Sequence, residues 1–247
     1  MIFNFCLMLM VLSGGFASAD EVTVKHKRRA QTVTYDVYAP PPKEGERMGV
    51  LICTGGLPMD GDKYLRSDTR ECLGPQWKKF ADDHYLLIVG LGFLFIPEDW
   101  EKKESYQYAQ AWSGKALYEV LARLQKKFPI NVHELYLYGV SAGAQYSVRF
   151  AQMRPESVVA VAAHAAGGFD EPKEYIPTKF LLTVGKLDNA DIKRVDLAQE
   201  FVKLCRNKGI AIRLKVIGGL AHHQTEPQNA LSRQFFQKAI KERRSLP

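Results

Sequence analysis

At 247 residues, 46% hydrophobic and 25% charged, the chain has the make-up of an ordinary folded protein with one sizeable core, which excludes extended disorder, repeat arrays and low-complexity scaffolds. Its formal net charge of +7 is scattered over short groups such as Lys25 to Arg29, Lys126-Lys127 and Lys241 to Arg244. That is the pattern of solvated faces, so nucleic-acid binding is not expected.

The first 19 residues hold no Lys, Arg, Asp or Glu, run apolar from Ile2 to Leu12 and end Ala17-Ser18-Ala19. An apolar core followed by a small-residue cleavage site predicts a secretory signal peptide. The apolar run is shorter than the roughly 20 residues that cross a bilayer, and no later segment reads as a span. The expectation is a signal peptide over residues 1–19, a single domain over 20–247, a secreted or periplasmic location and no stable membrane anchor after cleavage. Cleavage removes Cys6 and leaves Cys53, Cys72 and Cys205. Cys53 and Cys205 read first as small buried apolar residues; if one pair forms, Cys53 with Cys72 is the expected one. With no CxxC spacing and no Cys/His cluster, no metal site is expected.

Val22 to Val24 and Thr32 to Tyr38 are β-rich runs that predict an antiparallel hairpin, ended by Pro40-Pro41-Pro42. Met48 to Cys53 and Tyr85 to Leu91 read as buried strands, with a short amphipathic helix over Gln76 to Asp82 between them. Ser105 to Phe128 reads as a long helix carrying Leu117, Val120, Leu121 and Leu124 at helical spacing and stopped by Pro129. Leu135 to Tyr138, Val158 to Ala163, Phe180 to Val184 and Ile212 to Ile217 are further apolar strands. Helices are expected over Ala142 to Met153, Ile192 to Asn207 and Asn229 to Lys241. Apolar strands alternating with helices predict an α/β fold: a mostly parallel sheet with helices on both faces and the hairpin at its N-terminal edge. In such sheets the working groups gather at the carboxyl ends of the strands.

One motif stands at such an end. Gly139-Val140-Ser141-Ala142-Gly143 matches G-x-S-x-G at a strand-to-helix junction, where the glycines let strand and helix pass closely around an exposed nucleophile. A Ser hydroxyl needs an imidazole base oriented by a carboxylate. Asp188 follows the Phe180 strand and is favoured over Asp191, at a helix start, and Asp170. The loop after the last strand supplies His222, favoured over its neighbour His223, which is left to steady the loop or touch substrate. An acyl-transfer site also needs N–H donors for the oxyanion. Ala142, directly after the nucleophile, is one; Gly56 in the Thr54-Gly55-Gly56-Leu57 loop is the other, with Leu57 as its alternative. Phe93, Phe95, Trp100, Tyr106, Tyr108 and Trp112 form an aromatic stretch near this site. They read more readily as core than as substrate contacts, with Trp112 carried forward as a substrate-binding candidate.

With these residues in place the chain resembles the α/β-hydrolase superfamily over nearly all of its length after the leader. It is most similar to the dienelactone-hydrolase-like and polyhydroxybutyrate-depolymerase-like esterases, which include feruloyl and acetylxylan esterases. Those relatives often carry His-Gly where this chain has Thr54-Gly55, and dienelactone hydrolases proper use Cys where this chain has Ser141. The resemblance implies a serine esterase acting on a small-molecule or polymer ester without metal or organic cofactor. Two other readings stay open: a serine peptidase of the prolyl-oligopeptidase type, and a hydrolase-like module that binds without catalysis.

Overall fold

A computed structural model of the protein describes residues 17–57, 66–70, 72–100, 102–188 and 192–245. Cys6, Asp191 and most of the expected leader lie outside these residues. Eight strands form one sheet among the described residues: β1 (Ala17–His26), β2 (Arg29–Tyr38), β3 (Met48–Thr54), β4 (Leu86–Phe93), β5 (Ile130–Val140), β6 (Val158–His164), β7 (Lys179–Gly185) and β8 (Ile212–Ile217). Their order is β1-β2-β4-β3-β5-β6-β7-β8. β1 and β2 form the expected hairpin, β2 pairs antiparallel with β4, and every later pairing is parallel.

Alternating side chains of each central strand enter opposite cores, as the two-residue period of a strand demands. Val50, Ile52, Leu135 and Leu137 face the core covered by α2 (Gly114–Gln125), α3 (Ala142–Met153) and α4 (Arg194–Asn207). Leu51, Cys53, Tyr136 and Tyr138 face the core covered by α1 (Pro75–His84) and α5 (Glu226–Arg244). Burial on both faces is why these strands read as unbroken apolar runs. Among the described residues no helix is long and apolar enough to cross a membrane.

Several boundaries depart from the sequence reading. The helix expected from Ser105 begins only at Ala109, as one π-helical turn over Ala109–Ser113 that runs into α2. Ahead of it the Trp112 indole N–H donates to Glu104 O (2.7 Å) and the Ser113 hydroxyl to Tyr106 O (2.6 Å). Side chains thus take the carbonyls that a continuous helix would have bonded by backbone. Tyr85, expected to open a strand, instead ends α1 in the left-handed region at φ 51°. α5 starts three residues before expectation, because Thr225 and Gln228 close a reciprocal capping box. In β1 the register is irregular between Ala17 and Asp20 and regular from Asp20 onward.

Cys53 and Cys72 form a disulfide with Cα atoms 6.1 Å apart, which corrects the reading of Cys53 as merely a small buried residue. Cys205 is free and buried as expected.

Candidate active site

Ser141 occupies the sharp turn between β5 and α3 at φ 52°, ψ −114°, a strained conformation for a residue with a Cβ. The two motif glycines make the turn possible. A Cβ on Gly139 would come within 2.3 Å of Gly143 O, and one on Gly143 within 2.1 Å of Thr54 O. The turn is pinned to the sheet by the Ser141 N–H, which donates to His164 O at the end of β6 (2.8 Å).

The other two chain segments converge on Ser141 from strand ends further along the sheet. After β7 the chain turns through Asp188, whose N–H donates to Gly185 O. The loop after β8 packs directly on this turn: Leu187 N–H donates to Leu220 O (2.9 Å), and a Cβ on Gly185 would meet Leu220 O at 2.2 Å. This contact sets His222 beside Asp188. His222 Nδ1 lies 2.8 Å from Asp188 Oδ2, and His222 Nε2 lies 3.1 Å from Ser141 Oγ. A carboxylate only accepts, so Nδ1 carries the proton and Nε2 is free to accept from the Ser141 hydroxyl. The other oxygen of Asp188 accepts from Arg194 Nη1 at 2.8 Å, and the Asp188 side chain is only 3% exposed. Arg194, at the start of α4, was not anticipated from the sequence. Of the two carboxylates that compete with Asp188 in the sequence, Asp170 is paired instead with Arg149 (3.0 Å), and Asp191 lies outside the described residues.

Gly56 backs onto the elbow: a Cβ there would stand 3.3 Å from the Ser141 Cβ. The Ala142 amide opens α3, where helix geometry leaves N–H groups without intrahelical partners. Ser141, His222, His223, Gly56 and Leu57 line a cleft of about 760 Å³, together with Trp100, Gln107, Tyr108, Gln145 and Arg194. The aromatic stretch therefore divides. Trp100 and Tyr108 face the cleft, whereas Phe93 and Tyr106 stack in the core at 5.0 Å.

Trp112 belongs with the second group, which corrects its expected place as a substrate contact. It is 3% exposed, packs edge-on to Phe93, and spends its indole N–H on the Glu104 carbonyl.

Beneath the elbow lies a buried polar network that the sequence reading missed, because the strand was expected to stop at Ala163. His164 is fully buried, with Nδ1 2.6 Å from Thr183 Oγ1 and Nε2 2.8 Å from Ser232 Oγ. Ser232 Oγ donates to Gln228 O, so it accepts from Nε2–H. Gln228 Nε2 donates to Thr183 Oγ1, which leaves that hydroxyl to donate to Nδ1. One neutral tautomer satisfies every bond, and it ties the backbone holding Ser141 to the first two turns of α5, which begins four residues beyond His222. Burial lowers the His164 pKa from 6.5 to about 3. The unfolded chain therefore binds the extra proton between those values, and stability from this group is complete above pH 6.5 and lost as pH falls toward 3. The wild type is expected to lose several kcal/mol through this window. A His164→Gln variant, weaker at neutral pH, should show a flatter profile in urea unfolding between pH 7.5 and 4.5. His84, also lowered by burial, contributes with the same sign to both proteins and cancels in the comparison.

No protein-family model matches the sequence, and no curated protein matches it. In structure the chain is similar to an S-formylglutathione hydrolase from Agrobacterium tumefaciens, with TM-score 0.65 and 14% identity over 92% of this chain and 98% of that one. A ferulic acid esterase from Anaeromyces mucronatus aligns with TM-score 0.63 and 15% identity, over 93% and 91% of the two chains. A poly(3-hydroxybutyrate) depolymerase from Bordetella parapertussis aligns with TM-score 0.57 and 18% identity, over 90% of each. At these identities the likeness establishes the fold, and the chain has the α/β-hydrolase fold.

Proposed function

We propose that the protein is an exported serine hydrolase that cleaves carboxylic esters through an acyl-enzyme on Ser141. The observation that carries this reading is the hydrogen-bonded chain Ser141–His222–Asp188 at 3.1 and 2.8 Å, set in an open cleft. His222 Nε2 takes the Ser141 proton as Oγ attacks the ester carbonyl, and Asp188 holds the ring and offsets the imidazolium charge. The oxyanion is met by the N–H groups of Ala142 and Gly56, with Leu57 adjacent. Collapse breaks the bond to the alcohol oxygen, which leaves with the proton from His222. Water then repeats the sequence on the acyl-enzyme, releasing the acid and restoring Ser141. No step requires a metal or organic cofactor.

Similarity to enzymes named for ferulic acid esters and for a polyester favours ester substrates, small or polymeric. Export is supported by the leader-like residues 1–19 and by the Cys53–Cys72 disulfide, a bond that persists in oxidising compartments. Of the described residues, cleavage after Ala19 would remove only Ala17 to Ala19, at the irregular start of β1.

A fluorophosphonate probe tests the reading directly. The folded wild type is expected to take up one label and Ser141→Ala none; an unlabelled wild type sinks the proposal in favour of a binding module. Turnover of peptide amides above p-nitrophenyl esters would instead favour a peptidase.

A further inference from the structure

Gln145 lies one helical turn beyond Ser141, whose carbonyl accepts the Gln145 N–H at 3.1 Å. Its side chain lines the cleft and is fixed from below. Arg149, the next turn along α3, has a side chain only 4% exposed and donates from Nη1 to Gln145 Oε1 at 3.2 Å. The same guanidinium bonds Gln107 O and Asp170 and lies over the Tyr108 ring, 4.2 Å from its centroid. Guanidinium groups only donate, so the Gln145 amide cannot flip without setting two donors against each other. Its Nε2 is thereby held on the side away from Arg149, near Gly167, where a Cβ would stand 3.4 Å from it. Nε2 makes no hydrogen bond among the described residues. The cleft that Trp100, Tyr108 and the nucleophile also line thus presents an amide donor whose direction is set by a buried cation and which has no partner among the described residues.

Resting on the ester-hydrolase reading, we propose that Gln145 Nε2 recognises an oxygen acceptor in the non-reacting part of the substrate, and that Arg149 is the residue that positions it. The substrate class is accordingly an oxygenated ester, bearing a hydroxyl, ether or carbonyl oxygen several bonds from the scissile group, rather than a plain hydrocarbon ester. Binding a hydrocarbon at that point strips water from Nε2 and returns nothing. The oxygen belongs either to the acyl half or to the alcohol half, and the experiment separates the two.

The test replaces single methylenes by oxygen, position by position but sparing the two nearest the ester group, in 4-nitrophenyl hexanoate for the acyl half and in pentyl acetate for the alcohol half. kcat/KM is measured for each oxa ester relative to its hydrocarbon parent within one protein. The wild type, Gln145→Met and Gln145→Glu are then compared, so that intrinsic ester reactivity and any general loss cancel. At one position on one half, the wild-type preference for oxygen is expected to exceed that of Gln145→Met by about fivefold. Gln145→Glu, which keeps the acceptor for Arg149 but offers the substrate a second acceptor, is expected to disfavour oxygen at that same position. A purely structural role for Gln145 would not reverse the preference. If the wild type takes the fluorophosphonate label and hydrolyses the parent esters, but the three proteins show the same ratios at every position, this inference alone falls. A wild type that takes no label removes the hydrolase reading and this inference with it.

Discussion

Replacing His222 with alanine is expected to lower kcat for a p-nitrophenyl ester by about 10⁶-fold and to abolish fluorophosphonate labelling, whereas His223→Ala should change kcat by less than about tenfold. The two residues are adjacent in sequence and both line the cleft, so composition alone does not separate them. Geometry does. His222 spans Ser141 Oγ and Asp188 Oδ2, while the hydrogen bond of His223 is a backbone turn to Ala221 O. Without the His222 imidazole the Ser141 hydroxyl keeps its proton at neutral pH, and the alcohol product has no acid to protonate it on leaving. Both chemical steps lose the same group, which is why the effect is large. Pre-steady-state release of p-nitrophenol checks it: the burst should vanish in His222→Ala and persist in His223→Ala. A dead His223→Ala alongside an active His222→Ala would reverse the assignment.

The parts of this site that were legible in the sequence are those written in local pattern. G-x-S-x-G between an apolar run and a helix fixes an elbow, since the glycines answer a backbone contact that any side chain would block. Asp188 and His222 were found because each follows an apolar strand in a parallel sheet, and strand ends share one edge. Residues whose role depends on contacts between distant segments were not legible. Trp112 has the spacing of a residue near the cleft, but Phe93 and the Glu104 carbonyl, reached only when the chain folds back, take it into the core. Gln145 and Arg149 are four apart on α3, a spacing that ordinarily marks a solvated pair. α3 is buried nearly all round, so the same pair becomes an oriented polar wall. The i+4 offset of Gln145 from Ser141 was the signal available for it. Arg194 left no such trace: its partner Asp188 lies outside α4, and nothing periodic connects them.

That unanticipated arginine makes the second large effect unusual in sign. Asp188→Asn is expected to lower kcat by about 10⁴-fold, because the base must present a bare Nε2 to Ser141. An asparagine is nearly isosteric, and in principle its Oδ1 could still accept from His222 Nδ1–H. Arg194 prevents this. Its Nη1 donates to Asp188 Oδ1 at 2.8 Å, so the one acceptor of an asparagine is drawn toward the guanidinium and the NH₂ faces His222. The imidazole is then driven to the tautomer protonated on Nε2, which cannot accept from Ser141. The same substitution strips the counter-charge from an arginine side chain only 14% exposed, costing stability on the order of 3 kcal/mol. Removing Arg194 should therefore act oppositely in the two backgrounds. In the wild type, Arg194→Met loosens Asp188 and lowers kcat. In the Asp188→Asn background it frees the amide to turn its oxygen to His222 and removes the unpaired charge, so kcat rises by about tenfold and the melting temperature recovers. The kcat values and thermal unfolding of the four proteins decide the matter; a loss by the same factor in both backgrounds would show that Arg194 does not control the carboxylate's orientation.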